Sequence, residues 1–190
     1  MARVKKPQPT LDLLLFQSPE QKVLRFLLTE PTTTFLLRVL ASKLKGVRGL
    51  GGAEGMQKIL LQFEEQGLVE FLDNRRSVRL VDEHPAILVL KVLSSHCDLE
   101  GLQQLLQPFC SKGILFGSRA TGRARTDSDF DLFVVTEDAP QAKRVTEGYP
   151  LGRTIELVAW TAAEYEEIER RDPGLAQKLA KGSVLWGSTW

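Results

Sequence analysis

The segment GSRATGRARTDSDFDL (117–132) narrows the possibilities for this chain most. A glycine-serine pair closes one apolar run, KGILFG (112–117), and after a spacer of ten residues two aspartates open the next, DFDLFVV (129–135). Successive residues of a strand point to opposite faces, so Asp129 and Asp131 share one face while Phe130 and Leu132 share the other. Neighbouring carboxylates repel one another unless a cation lies between them. Hard divalent ions such as Mg²⁺ take carboxylate oxygens and keep positions open for phosphate oxygens and water. Gly117 lets the backbone come close to a ligand, and free N–H groups at a helix start attract phosphate. The Ser118 hydroxyl adds a donor, and Arg119, Arg123 and Arg125 bring positive charge within reach of the same ligand.

A third strand, RTIELVAW (153–160), carries one acidic residue, Glu156, among apolar neighbours. On a central strand such a carboxylate is expensive to bury without a metal or a cationic partner. With Asp129 and Asp131 it completes the ligands of a two-metal site, in which one ion activates an attacking hydroxyl and the other steadies a leaving pyrophosphate. The alternative for Glu156 is exposure at a sheet edge or pairing with Arg153.

Little else in the chain competes for chemistry. The cysteines, Cys97 and Cys110, do not form a C-x-x-C pair and read as reduced, half-buried helix residues beside an isolated His96. Trp160, Trp186 and Trp190 read as core or tail packing, and EYEEIERR as a solvated helix face. No apolar run approaches the roughly 20 residues of a membrane span, and MARVKKPQPT lacks the apolar core of a signal peptide. The expected location is the cytoplasm, without a membrane partner.

The front half has a different texture. Helices are expected in SPEQKVLRFLL (18–28), with Ser18 as cap and Pro19 at the first position, in FLLRVLASKL (35–44), and in AEGMQKILLQFEEQG (53–67). LVEFL (68–72) and SVRLV (77–81) alternate like strands around the turn DNRR. Two connecting helices, AILVLKVLSS and DLEGLQQLLQ, follow, with the boundary between halves near 96–110. Behind it are expected the three strands above, a helix TAAEYEEIERR (161–171), a helix in DPGLAQKLAKG and a last strand SVLWG (183–187). Thirteen Lys/Arg against ten Asp/Glu in residues 1–85, and twelve against fourteen in 86–190, give the sign expected of a DNA-facing front and a metal-binding rear.

Three helices followed by a hairpin is the order of a winged helix-turn-helix. ILLQFEEQGLVEFLDNRRSVRLVDEHP resembles the last helix and wing of bacterial and archaeal regulators of that type. The resemblance implies a DNA contact through Lys43, Lys45, Arg48, Gln57, Lys58, Arg75 and Arg76, chiefly to phosphates. A dimerisation or docking module, with a homodimer as one form, is the competing reading.

FGSRATGRARTDSDFDLFVV, followed by IELVAWTAAEYEEI, is similar to the signature of minimal nucleotidyltransferases in the DNA polymerase β superfamily. The likeness spans roughly residues 97–187. The two likenesses together imply an α+β chain of two domains: an N-terminal segment (1–17), a winged helix of three helices plus β-hairpin (18–85), connecting helices (86–108), and a nucleotidyltransferase domain with a mixed sheet flanked by helices (109–190). Carried over, Gly117 and Ser118 grip phosphate with Arg119 and Arg123 nearby, and Asp129, Asp131 and Glu156 are the catalytic, metal-binding carboxylates. The implied cofactors are two Mg²⁺ ions and an NTP, ATP foremost. The implied reaction moves AMP to a hydroxyl, on an all-helical toxin partner in an antitoxin-type system. The family usually has aspartate where this chain has Glu156, and the extra methylene implies slower catalysis or a shifted strand. The alternative is a transcriptional regulator whose rear domain senses nucleotide or a partner.

Overall fold

The computed structural model describes residues 9–188. The basic opening MARVKKPQ and Trp190 lie outside the described residues. Among these residues no helix is long and apolar enough to cross a membrane.

The front unit begins with α1 (Leu11–Leu15) and α2 (Pro19–Thr29). Ser18 starts α2 through a reciprocal cap: its hydroxyl accepts from Gln21 N at 3.2 Å, and Gln21 Oε1 accepts from Ser18 N at 2.9 Å. Next come β1 (Phe35–Leu36), α3 (Leu37–Lys43), α4 (Gly52–Glu65), β2 (Val69–Leu72) and β3 (Ser77–Leu80). The helix expected from residue 35 starts two residues late. Phe35 and Leu36 pair with Val78 and Ser77 instead, making an antiparallel sheet of order β1-β3-β2. Sheet pairing has overridden local helical spacing there. The hairpin tip runs left-handed through Asp73, Asn74 and Arg75, with φ of 52, 52 and 63°. Val23, Leu27, Leu40, Met56, Leu60 and Val78 form this unit's core.

Pro85–Leu106 is one continuous helix, α5, where two were expected. The polar run Ser94–Asp98 resembles a helix end in sequence, but its side chains have partners that leave the helix intact. Ser94 and Asp98 both accept from the Arg25 guanidinium of α2, and Ser95 Oγ donates back to Lys91 O at 3.0 Å. Ile87, near the helix start, belongs to the front core, whereas Leu99, Leu102 and Leu106 belong to the rear one. The boundary drawn at residue 109 therefore leaves outside the rear unit three leucines that fill its core.

The rear unit continues with β4 (Lys112–Phe116), α6 (Gly117–Ala120), β5 (Phe130–Val135), α7 (Ala139–Glu147), β6 (Ile155–Trp160), α8 (Ala162–Glu166), α9 (Ile168–Arg171), α10 (Pro173–Ala180) and β7 (Ser183–Trp186). The expected helix 161–171 is thus broken in two at Glu167, although Thr161 caps it as anticipated. The strands form a mixed sheet of order β6-β5-β4-β7: β4 runs antiparallel to β5 and β7, and β5 runs parallel to β6. One face, with Leu115, Phe130, Leu132 and Val134, packs on the leucines of α5. The other, with Ile114, Phe116, Phe133 and Val135, packs on Tyr165, Ile168, Leu175 and Leu179 of α8–α10. Trp186 is buried, donating from Nε1 to Cys110 O at 2.9 Å, and Gly113 makes room for its ring. Cys97 and Cys110 are buried free thiols, and His96 Nε2 meets Ser183 Oγ at 2.7 Å.

Candidate active site

Strand alternation decides which side chains meet. Asp131 occupies the face of β5 shared with Phe133 and Val135, beneath α8–α10. On the neighbouring parallel strand the register pairs Asp131 directly with Glu156, and on the antiparallel side with Phe116. Gly117, the residue after Phe116, turns with φ +70°, and a Cβ there would fall 2.1 Å from Asp131 Oδ2. The glycine of the signature is therefore required by both dihedral and space. A cleft of about 440 Å³ opens beside these carboxylates, lined by Phe116, Asp131, Glu156, Val158, Trp160 and Lys178, among others. Burial first, and then the charge of Glu156, push the Asp131 carboxyl above its ordinary value, with Asp129 adding to the shift.

The remaining residues fall into place around this pair. Asp129 is exposed at the mouth of β5. Glu156 is exposed too, because β6 is the edge strand of the sheet, so the burial cost expected for it does not arise. Arg153 is not its partner: that guanidinium donates to the carbonyls of Thr126 and Thr29. Among the described residues no three His, Cys, Asp or Glu side chains stand close enough to make a ready metal cage. The donor set still suits a hard cation. It consists of carboxylate oxygens only, under mutual repulsion that a divalent ion relieves, and Asp131 is seated in a cradle that a Cβ would fill.

Ser118 is half-buried beside Gly117, with its carbonyl accepting from Arg123 N at 2.9 Å. Arg123 is exposed, as a phosphate ligand needs to be. Arg119 corrects the expectation. It is 6% exposed, its Nη2 donates to Ser128 O at 2.6 Å, its Nε donates to Asp129 O at 3.1 Å, and its guanidinium stacks 3.8 Å from the Phe130 ring centroid. Burial and the nearby Arg153 lower its pKa to about 10, which keeps it cationic at neutral pH. Arg119 thus clamps the loop that leads into Asp129 instead of facing a nucleotide. Arg119→Ala leaves two carbonyls without their guanidinium donor and is expected to cost about 2–4 kcal/mol of stability, read as a lower midpoint in denaturant.

The sequence of this unit has a counterpart among known families. Residues 99–181 match the family model for a nucleotidyltransferase domain. The match covers a little under half of the chain and begins inside α5, on the leucines that fill the rear core. No curated protein matches the sequence. The matched segment contains Gly117, Ser118, Asp129, Asp131 and Glu156. It also contains Asp172 and Lys178, cleft residues that no sequence signal singled out. Nothing in AQKLAKG marks Lys178 apart from any lysine of a solvated helix; only the packing of α10 brings it to the cleft.

The residues named for DNA lie far from this cleft in sequence and are all exposed: Lys43 at the end of α3, Lys45 and Arg48 in the loop beyond, Gln57 and Lys58 on α4, Arg75 and Arg76 at the hairpin tip. Arg75 is partly engaged, 3.1 Å from Glu64 Oε2 and stacked 5.2 Å from the Phe71 ring centroid.

Proposed function

We propose that this chain is a Mg²⁺-dependent nucleotidyltransferase that moves AMP from ATP to a hydroxyl. The observation that carries the reading is the lateral pairing of Asp131 with Glu156 on adjacent parallel strands, against the Gly117 turn. Asp129, Asp131 and Glu156 would hold two magnesium ions. When bound, these supply Lewis-acid polarisation of the α-phosphoryl and make the attacking hydroxyl easier to deprotonate. The Gly117–Ser118 turn and exposed Arg123 receive the triphosphate. Arg119, through the carbonyls of Ser128 and Asp129, holds Asp129 in place while the charge distribution changes. Glu156, at the open edge of the sheet, meets the acceptor. The acceptor oxygen forms its bond to the α-phosphorus, the bond to the bridging oxygen breaks, pyrophosphate leaves, and the hydroxyl proton passes to solvent. Glu156, one methylene longer than aspartate, sets a slower turnover.

The acceptor proposed is a hydroxyl on a partner protein, in an antitoxin-type role, because the sheet edge beside Glu156 is open to a large molecule. Purified protein with Mg²⁺ and α-labelled ATP should transfer label to a co-expressed helical partner and release pyrophosphate. Failure to bind ATP at millimolar concentration would exclude the reading.

The front unit, read as a winged helix, adds a DNA-binding function. Its support is the run of exposed cations from Lys43 to Arg48 and at Arg75–Arg76. If that surface serves alone, the chain is a regulator whose nucleotidyltransferase domain senses nucleotide or a partner. Arg75→Ala with Arg76→Ala should weaken binding evenly across DNA sequences. It should also reduce the slope of log K against log salt by about 1 for each phosphate no longer neutralised. Unchanged retardation across a salt series would remove the hairpin from the interface.

A further inference from the structure

The cleft beside Asp131 and Glu156 contains a cation for which the reaction above has no use. Lys178 reaches it from the last turn of α10. The helix beneath it is fixed: Leu179 is buried against the sheet, and a Cβ on Gly182 would fall 2.7 Å from Ile114 Cγ2 and 2.8 Å from the Leu115 carbonyl oxygen. Among the described residues, Lys178, Asp129, Asp131 and Glu156 make no close salt bridge, though they share one small region and the charge of Lys178 is near enough to lower the Asp131 carboxyl. The two arginines nearest the signature loop, Arg119 and Arg153, spend their hydrogen bonds on backbone carbonyls, and the charge of Arg119 offsets only part of the repulsion at Asp131.

An ammonium at this place opposes the entry of a divalent cation, since like charges repel. It becomes favourable once the incoming ligand carries anionic charge of its own. A triphosphate together with the three carboxylates holds more negative charge than two divalent ions cancel, and the excess needs a fixed cation nearby. A lysine suits that task as a mobile point charge with three donors and no demand for a planar partner.

We propose that Lys178 is a nucleotide-binding residue, its ammonium holding non-bridging oxygens of the polyphosphate in the cleft between α10 and β6. The inference rests on the nucleotidyl-transfer reading and adds to it a ligand contact outside the Gly117–Asp131 signature. It assigns opposite effects of one substitution on two ligands. Lys178→Gln should lose about tenfold or more in affinity for a non-hydrolysable ATP analogue in Ca²⁺, the loss of one charge-assisted hydrogen bond. The same variant should bind AMP within about twofold of wild type, and Mn²⁺ alone as tightly or more tightly, because a repelling charge has gone. Lys178→Arg should restore most of the triphosphate affinity.

Thermal melts should show that the variants fold, since position 178 is exposed. Equal ATP-analogue affinity in wild type and Lys178→Gln would overturn the role of Lys178 and leave nucleotidyl transfer standing. Parallel losses for the analogue and for Mn²⁺ would overturn it too, by showing general damage to the cleft. A wild-type protein that binds no triphosphate overturns both readings, and that outcome is visible before any variant is made.

Discussion

Asp129→Asn combined with Asp131→Asn should reduce label transfer from ATP by about 10³-fold or more while leaving the chain folded. Asparagine keeps the shape of the side chain and removes the charge that would hold a divalent cation. The effect on stability should have the opposite sign from the effect on activity. Asp131 has its carboxyl raised by burial and by Glu156, so the folded state holds that proton to higher pH than the unfolded chain does. For an acid shifted this way, stability falls as pH rises from the unfolded value through the folded one, and at neutral pH the full penalty applies. An asparagine that cannot ionise escapes it. The variant's melting temperature at pH 7, without metal, should equal or exceed that of wild type, and the difference should shrink on acidification. Retained transfer would show that these carboxylates are not the metal ligands; a variant that unfolds would show that they serve the fold.

Gly117→Ala should be nearly as damaging through a change of one methyl group. The backbone at Gly117 has φ +70°, and the added Cβ would lie 2.1 Å from Asp131 Oδ2 and 2.9 Å from its Cγ. Either the turn or the carboxylate must move, and a displacement of about 1 Å at a reacting centre costs on the order of 100-fold in rate. Left-handed backbone in alanine adds about 1 kcal/mol of strain. Gly152→Ala separates the two contributions, since Gly152 has φ +72° but nothing within 4 Å of its would-be Cβ. Both variants should show the backbone strain, with Gly117→Ala losing at least as much stability as Gly152→Ala, while only Gly117→Ala should lose activity. Equal rates in the two would mean that contact with Asp131 does not matter for turnover.

The sequence carried the rear sheet well because its strands are runs of large apolar residues bounded by Gly117 and by the aspartates. The lateral meeting of Asp131 with Glu156 follows once β5 and β6 are neighbours. The edge position of β6 does not follow, and for that reason Glu156 escapes the burial that its apolar neighbours suggested. Helix α7 leaves no apolar period in the sequence, because its buried face is made of Ala142 and Thr146, one too small and the other too polar. Arg119 looked like a phosphate ligand by its place beside Gly117–Ser118; its inward turn depends on Phe130 and on loop carbonyls that no local pattern announces. In the front half the Ser18 cap was readable, whereas its reciprocal partner Gln21 was not singled out and the short strand Phe35–Leu36 needed its partner strand to exist.

The unbroken helix α5 has a consequence for how this molecule comes apart. Ile87 is fully buried in one core and Leu99, Leu102 and Leu106 in the other, along a single rod of backbone hydrogen bonds. Melting either end frays a surface on which the opposite half depends. Heating should therefore give one cooperative transition seen alike by every probe, and a fragment cut at residue 109 should collapse into a loosely packed, aggregation-prone state.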